Sequence, residues 1–282
     1  MKRNYFLLIL LLIIGNSCSK ESSNTETPKG ILYIIGGGKR PATMVDEIID
    51  ISGLKNGGYL IVLPMASEEP DSASYYSTKQ FKDKGIENAF AINFSMQDTV
   101  SSEKLDSIRN AKLIYISGGD QNKFMAVVKN NPIHKAIVDA YYAGAVIVGT
   151  SAGAAVMSKK MITGNQLKNT SDKGYSTIHS DNIEINEGLG LLSSAIIDQH
   201  FIKRERLNRL ITVALENPTN LCIGIDESTA IMIKGDSAKV CGISQVILID
   251  ASQATISKTD SIINGTNVRL DILIPGQKFR IK

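Results

Sequence analysis

The sequence contains no tryptophan, few cysteines and histidines, and little excess charge of either sign. Lysine and arginine exceed aspartate and glutamate to give a net charge of +3 over 282 residues, too small and too dispersed to indicate a nucleic-acid partner. The histidines are scattered and no CxxC or HExxH spacing occurs, so we expect neither a metal site nor a cofactor. Cys222 and Cys241 lie in apolar, strand-like runs and are expected to be buried free thiols.

The one long apolar run, at the N-terminus, is too short to span a membrane. Lys2 and Arg3 precede the run Tyr5–Ile14, whose ten residues fall short of the roughly 20 that a transmembrane helix needs. Small residues then lead to Cys18, an arrangement that resembles a bacterial lipoprotein signal. It predicts lipidation of Cys18, membrane contact through the lipid anchor and an extracytoplasmic location in the cell envelope. Because Gly15 stands where leucine is commoner, secretion with another cleavage point stays open.

The segment that follows the signal is too polar to fold by itself. Residues 19–29 contain no apolar side chain apart from one proline, so they cannot bury enough surface to become ordered. The sequence therefore predicts a signal peptide over residues 1–17, a disordered tether over 18–29 and a single α/β domain over 30–282. Domains of this class reach about 200–250 residues without dividing.

Apolar runs alternate with stretches of helical periodicity through the first half of the chain. This alternation predicts βαβ units in a doubly wound, mostly parallel sheet flanked by helices. A glycine loop, Gly36–Gly38, follows the first run but lacks the spacing of a nucleotide-binding loop. Residues 159–184 are polar and predict an irregular excursion that roofs the site. Short apolar runs after Thr229 predict a mixed or antiparallel C-terminal extension.

A serine turn follows the apolar, β-branched run Ala145–Val148 and precedes residues that can start a helix. Ser151 lies in a Gly-x-Ser-x-Gly sequence, the spacing of a nucleophile elbow, in which a sharp strand-to-helix turn projects the hydroxyl away from the sheet. The backbone N–H groups of Ala152 and Gly119 would then hold an oxyanion. A glycine-rich turn without chemistry is the alternative.

A serine nucleophile needs a base, and His200 is the best-placed histidine. It ends a strand-like run, whereas His134 starts a helix and His179 lies in the polar excursion. The imidazole needs an acceptor to orient it, and Asp226 and Glu227 close a later strand. Because successive side chains of a strand point to opposite faces, one of the two should reach His200, and spacing alone does not choose between them.

Together these motifs resemble the cyanophycinases, in the serine peptidase family that also holds the aspartyl dipeptidases. The resemblance runs from about Gly30 to Asp250 and depends on the segments Gly118–Gln121, Gly149–Ala154, Asp198–Arg209 and Gly224–Glu227. It implies a catalytic triad of Ser151, His200 and Glu227. It also implies a substrate-binding pocket beside the nucleophile, formed by Gln121, Asp198, Gln199, Arg204, Arg206 and Arg209.

The resemblance implies an exopeptidase that cuts cyanophycin, multi-L-arginyl-poly-L-aspartate, to β-Asp-Arg dipeptides through an acyl-enzyme, and a homodimer. The arginine side chains of this polymer would bind a carboxylate such as Asp198, and its free carboxylates would bind guanidinium groups. On an ideal helix Arg206 and Arg209 share a face, so Arg204 joins them only if it precedes the regular helix. A hydrolase of other aspartyl peptides and a non-catalytic peptide-binding lipoprotein remain as alternatives.

Overall fold

The computed structural model describes residues 27–168, 170–171 and 174–281. The predicted signal peptide, Cys18 and most of the predicted tether lie outside these residues. Among the helices of the described ranges, none combines the length and the apolar character that crossing a membrane requires.

Helices and strands alternate through the N-terminal half, and strands dominate the C-terminal half. The first elements are β1 (Ile31–Ile35), α1 (Ala42–Ser52), β2 (Leu60–Leu63), α2 (Pro70–Lys82), β3 (Ala89–Ala91), α3 (Ser102–Arg109), β4 (Leu113–Ile116), α4 (Gln121–Val128), α5 (Pro132–Ala143), β5 (Val146–Thr150) and α6 (Ala152–Ala155). The next are β6 (Lys160–Gln166), β7 (Ile183–Glu187), β8 (Ala195–Gln199), α7 (Leu207–Glu216), β9 (Leu221–Ile225), β10 (Thr229–Lys234), β11 (Ser237–Gly242), β12 (Val246–Asp250), β13 (Thr255–Thr259), β14 (Ile262–Thr266), β15 (Arg269–Leu273) and β16 (Lys278–Arg280).

The central sheet has eight strands in the order β16-β11-β10-β1-β5-β4-β2-β3. The strands from β1 to β3 in this order are parallel, and β10, β11 and β16 extend the sheet antiparallel from β1. In the register of β1 with β5, Ile35 lies opposite Thr150. The glycine loop after β1 and the serine turn after β5 therefore leave the sheet side by side.

Alternate side chains of the parallel strands supply two separate hydrophobic cores. Tyr33 and Ile35 of β1 face α1 and α2, whereas Leu32 and Ile34 face the cluster that contains α3, α4, α5 and α6. Both faces of the sheet are thus covered by helices, which explains why its strands are continuous apolar runs. The predicted α/β fold, with a mostly parallel sheet and an antiparallel C-terminal extension, is confirmed.

A second sheet, of four strands in the order β15-β12-β9-β8, packs on the same side as α6. Its strands β8 and β9 are parallel, with Gln199 opposite Ile225, so the residues that follow them emerge together. Ile197 and Ile223 face the central core, and Ile196 faces α7. This burial on both faces makes β8 and β9 resemble central strands in sequence, although they belong to another sheet.

The polar segment 159–184 contains more regular structure than expected. β6 pairs antiparallel with β7, with Ile162 opposite Ile185, so the prediction of an irregular excursion is wrong for these strands. Lys160 is exposed, whereas Met161 packs into the central core and Ile162 into the cluster around α7, so β6 is buried on both faces at this point.

Candidate active site

Ser151 occupies a strained backbone conformation at the tip of a sharp turn. Its φ and ψ are 55° and −114°, a region that costs a non-glycine residue about 1–3 kcal/mol and that clusters at functional sites. Its N–H donates to the carbonyl of Ile35 at 3.0 Å, which ties the turn to β1. A Cβ on Gly153 would lie 2.3 Å from the carbonyl oxygen of Ile116, so the second glycine of the motif lets α6 approach β4.

His200 and Glu227 extend a hydrogen-bonded line from the serine hydroxyl. His200 Nε2 lies 2.8 Å from Ser151 Oγ, and His200 Nδ1 lies 2.6 Å from Glu227 Oε1. With the proton on Nδ1, the imidazole donates to the carboxylate and accepts from the serine O–H. The structure therefore brings together the three residues of the predicted triad, from the loops after β5, β8 and β9.

Asp226 faces away from the imidazole. Its Oδ1 accepts from the N–H of Lys203 at 3.0 Å, and its Oδ2 accepts from the hydroxyl of Ser244 at 2.8 Å. These bonds hold the loops around β9 and leave the imidazole to Glu227. The geometry thus distinguishes two carboxylates that sequence spacing left equivalent.

The glycine loop after β1 packs directly against His200. The carbonyl of Gly36 accepts from the N–H of His200 at 2.7 Å, and the carbonyl of Gly37 accepts from the N–H of Ser228 at 2.8 Å. Gly37 has a φ of 112°, and a Cβ there would lie 2.3 Å from His200 Cε1. Sequence reasoning tested this loop for nucleotide binding and missed this role. Its position directly after a strand that neighbours the serine strand was the available signal.

Both expected oxyanion donors are unused by the protein. Among the described residues, neither the N–H of Ala152 nor that of Gly119 donates a hydrogen bond. The next N–H after Gly119, that of Asp120, donates to the carbonyl of Ala66 at 2.8 Å and so anchors this loop. Preorganised, unpaired N–H groups are what an oxyanion hole requires.

Asp198 and Arg209 form a buried ion pair next to the triad. Arg209 Nε donates to Asp198 Oδ2 at 2.8 Å, and its Nη2 donates to Asp198 Oδ1. Arg209 Nη1 donates to the hydroxyl of Tyr175 at 2.7 Å, and the guanidinium carbon lies 4.6 Å from the centre of that ring. Two residues expected in the pocket therefore satisfy each other inside the protein.

Arg204 and Arg206 precede α7, as convergence of the arginines requires. Arg204 is exposed, whereas Arg206 is largely buried and donates from Nη1 to the backbone and side-chain oxygens of Gln199, both at 2.6 Å. Burial and the neighbouring Arg209 lower the pKa of Arg206 to about 10. Its Nε is buried and has no hydrogen-bond partner among the described residues.

Gln121, at the start of α4, connects the site to the hairpin of β6 and β7. Its side-chain amide donates to the carbonyls of Ile162 and Thr163 at 2.9 and 2.5 Å. This contact attaches the middle of β6 to the start of α4.

The environment of His200 favours the neutral imidazole that a general base needs. Burial lowers its pKa below the ordinary value, and the hydrogen bond to Glu227 opposes this shift. The positive charges of Arg204 and Arg206 lower the pKa further. His200 is thereby kept unprotonated to lower pH. No group of three or more potential ligand side chains that could hold a metal ion occurs in the described part of the chain.

The sequence is similar to known peptidases over most of its length. A model of peptidase family S51 matches residues 32–241. The cyanophycinase of Nostoc sp. is 27% identical over 273 residues, which cover 93% of this chain and 89% of the relative. The cyanophycinase of Geminocystis herdmanii is 28% identical over 233 residues, which cover 79% of this chain and 82% of the relative.

The fold is also similar to a solved structure. A peptidase from an acI-B1 Actinobacterium superposes with a TM-score of 0.64 at 21% sequence identity, covering 90% of this chain and 98% of that one.

Proposed function

The chain belongs to peptidase family S51 and is a serine-type peptidase, and on this premise we propose that it hydrolyses cyanophycin or a closely related β-aspartyl peptide to β-Asp-Arg dipeptides. The observation that carries the proposal is the hydrogen-bonded line from Ser151 through His200 to Glu227. The similarity to cyanophycinases over most of both chains supports the substrate class.

The proposed reaction begins with attack of Ser151 Oγ on the scissile carbonyl. His200 Nε2 takes the serine proton, and Glu227 stabilises the imidazolium. The N–H groups of Ala152 and Gly119 bind the oxyanion of the tetrahedral intermediate. Its collapse transfers the proton from His200 to the leaving amine and leaves an acyl-enzyme. A water molecule, deprotonated by His200, then attacks the ester, and the returning proton restores Ser151.

The residues of the predicted substrate-binding pocket differ in their exposure and therefore in their proposed roles. Arg204 is exposed and available to contact carboxylates of the polymer, whereas Nε of Arg206 is buried, so this arginine would act through its charge and its hydrogen bonds to Gln199. Asp198 and Arg209 satisfy each other, so they would shape the pocket through Gln199 and Tyr175 rather than meet the substrate. Gln121 would keep the hairpin at the edge of this pocket.

We also propose that the protein is exported, and this proposal is based on the sequence alone. The signal-like segment before Cys18 supports a lipid-anchored protein of the cell envelope that meets its substrate outside the cytoplasm. We further propose a homodimer, as the family resemblance implies.

The substrate proposal is tested by digestion of a purified polymer. Cyanophycin is incubated with the protein, and the products are identified by mass spectrometry beside an α-aspartyl dipeptide and a β-Asp-Lys polymer. We expect β-Asp-Arg dipeptides to be the main products. Cleavage of the α-aspartyl dipeptide with an intact polymer would instead indicate an aspartyl dipeptidase.

A further inference from the structure

Ser151 and His200 open onto a cleft that lies away from the arginines around α7. The cleft has a volume of about 280 Å³ and is bounded by the loop after β1, by α2 and by β4. Besides Ser151 and His200, its walls include Arg40, Tyr76, Ser77 and Tyr115. Of the residues that line it, Arg40 is the one with a permanent charge. A substrate bond held at Ser151 must therefore place neighbouring groups near this cation.

Arg40 is held by hydrogen bonds to neutral partners. Its Nε donates to Gln80 Oε1 at 2.7 Å, and its Nη1 donates to the carbonyl of Gly38 at 3.3 Å. No carboxylate of the described residues forms an ion pair with it. An arginine has five N–H donors, so most of this guanidinium remains free in a fixed orientation. A planar, oriented, unpaired guanidinium is suited to bind a carboxylate.

Tyr115, which also lines the cleft, carries a second unsatisfied group. The residue is 1% exposed, and its hydroxyl has no hydrogen-bond partner among the described residues. Its ring packs edge-on against Phe81 with the centroids 5.9 Å apart, which fixes its position. A buried hydroxyl without a partner is unfavourable, and each such group needs an explanation. A ligand oxygen in the cleft provides one.

We propose that Arg40 and the Tyr115 hydroxyl form a subsite that binds a carboxylate of the substrate residue lying against Ser151. This deepens the proposed function and rests on it, because each β-Asp-Arg unit of the polymer keeps one free carboxylate, that of its arginine, while the aspartate α-carboxyl forms the bond that is cut. Arg204 and Arg206 do not line this cleft, so the subsite is distinct from them. Specificity for an anionic residue then depends on Arg40.

The test measures binding of β-Asp-Arg dipeptide and of its analogue with both carboxylates converted to carboxamides. Isothermal titration uses the full chain carrying Ser151→Ala, so that no turnover intervenes. We expect Arg40→Gln to weaken binding of the dipeptide by about ten- to a hundredfold and to leave the diamide unchanged. Arg40→Lys keeps the charge without the planar fork and should give an intermediate loss. Lys39→Gln, which removes an adjacent exposed charge outside the cleft, is the control and should change neither affinity.

Tyr115→Phe tests the second group of the subsite. Because the hydroxyl has no partner among the described residues, its removal should not lower the melting temperature of the free protein. The same change should lower the affinity for the dipeptide severalfold. An unchanged affinity would remove Tyr115 from the subsite, and equal losses on dipeptide and diamide with Arg40→Gln would overturn the carboxylate proposal.

Failure of this subsite is distinguishable from failure of the proposed function. If the polymer is digested to dipeptides while Arg40→Gln binds both ligands like the parent, the subsite is overturned and the function stands. If the polymer is not digested but the carboxylate preference disappears in Arg40→Gln, the subsite stands and the substrate is another acidic peptide.

Discussion

Hydrogen bonds select one of two adjacent carboxylates at the active site. Glu227 bonds the imidazole at 2.6 Å, while Asp226 bonds the N–H of Lys203 and the hydroxyl of Ser244. Because an orienting carboxylate stabilises the imidazolium and fixes its tautomer, we expect Glu227→Gln to reduce kcat by about 10⁴. Asp226→Asn, the matched change, should reduce it far less and mainly lower the melting temperature. The reverse ranking of kcat would assign the orienting role to Asp226.

Activity should decrease at low pH, along the acid limb of the pH profile, because His200 becomes protonated there. Burial and the charge of Arg204 lower its pKa below 6.5, so kcat/KM for a small activated ester should fall with decreasing pH only below that value. Arg204→Gln removes a repulsive charge and should move the acid limb to higher pH. Lys203→Gln, on the next residue, is the control and should not move it. Identical midpoints for the parent and Arg204→Gln would contradict this electrostatic coupling.

The same shift has a consequence for stability. Because the folded state lowers the pKa of His200, the unfolded chain binds more protons at this site between pH 6.5 and the folded value. The stability associated with the neutral imidazole is therefore fully present above pH 6.5 and decreases as the pH falls through that window.

At the scale of elements, the loop after β1 supports the imidazole. Gly37→Ala would place a methyl group 2.3 Å from His200 Cε1 in a backbone with a φ of 112°. Since a displacement of about 1 Å can cost on the order of 10² in rate, we expect at least that loss of kcat. Gly57→Ala is a matched control, because Gly57 has a φ of 100° but nothing within 4 Å of the added Cβ. Equal losses of kcat in the two variants would show that backbone strain, and not the imidazole, is responsible.

Most of the parallel strands were predictable because their side chains are buried on both faces. β1, β4 and β5 appear in the sequence as continuous apolar runs, and the run Ala145–Val148 corresponds to β5 at Val146–Thr150. The sheet to which β8 and β9 belong was not predictable, because such runs do not specify a pairing partner. α4 was also missed, although Phe124, Met125 and Val128 are buried at helical spacing, because its eight residues are too few for a clear periodic signal.

The sequence predicted which residues form the candidate site better than it predicted their contacts. The Gly-x-Ser-x-Gly sequence indicated Ser151, and a strand end indicated His200. The sequence did not show whether Glu227 or Asp226 would reach His200. His200 and the residue after Glu227, Ser228, have positive φ angles of 50° and 55°, and no local sequence pattern predicts this conformation. The pairing of Asp198 with Arg209 likewise depends on the way α7 packs against the second sheet.

At the scale of the whole molecule, loops from both sheets assemble the site. β1 and β5 of the central sheet supply the glycine loop and Ser151, and β8 and β9 of the second sheet supply His200 and Glu227. Catalytic geometry in this account therefore requires the two sheets to remain packed through the shared core around Ile197 and Ile223.

The location of the molecule is a separate prediction. Cys18→Ser should move the protein from the membrane fraction to the soluble fraction, because acyl chains on Cys18 would be its membrane anchor. Fractionation followed by detection of the protein measures this change. Ser22→Ala, in the predicted tether, is the control. Retention of the Cys18→Ser protein in the membrane fraction would contradict the lipoprotein interpretation.

The central claim, that Ser151 is the nucleophile activated by His200 and Glu227, is tested most directly by the kcat of Ser151→Ala on cyanophycin. Loss of a nucleophile from such a triad costs on the order of 10⁶ in kcat. We expect this loss without a change in the circular dichroism spectrum, since the backbone hydrogen bond from Ser151 to Ile35, which ties the turn to β1, is kept in the variant. Turnover of the polymer by Ser151→Ala near the parent rate would contradict the account.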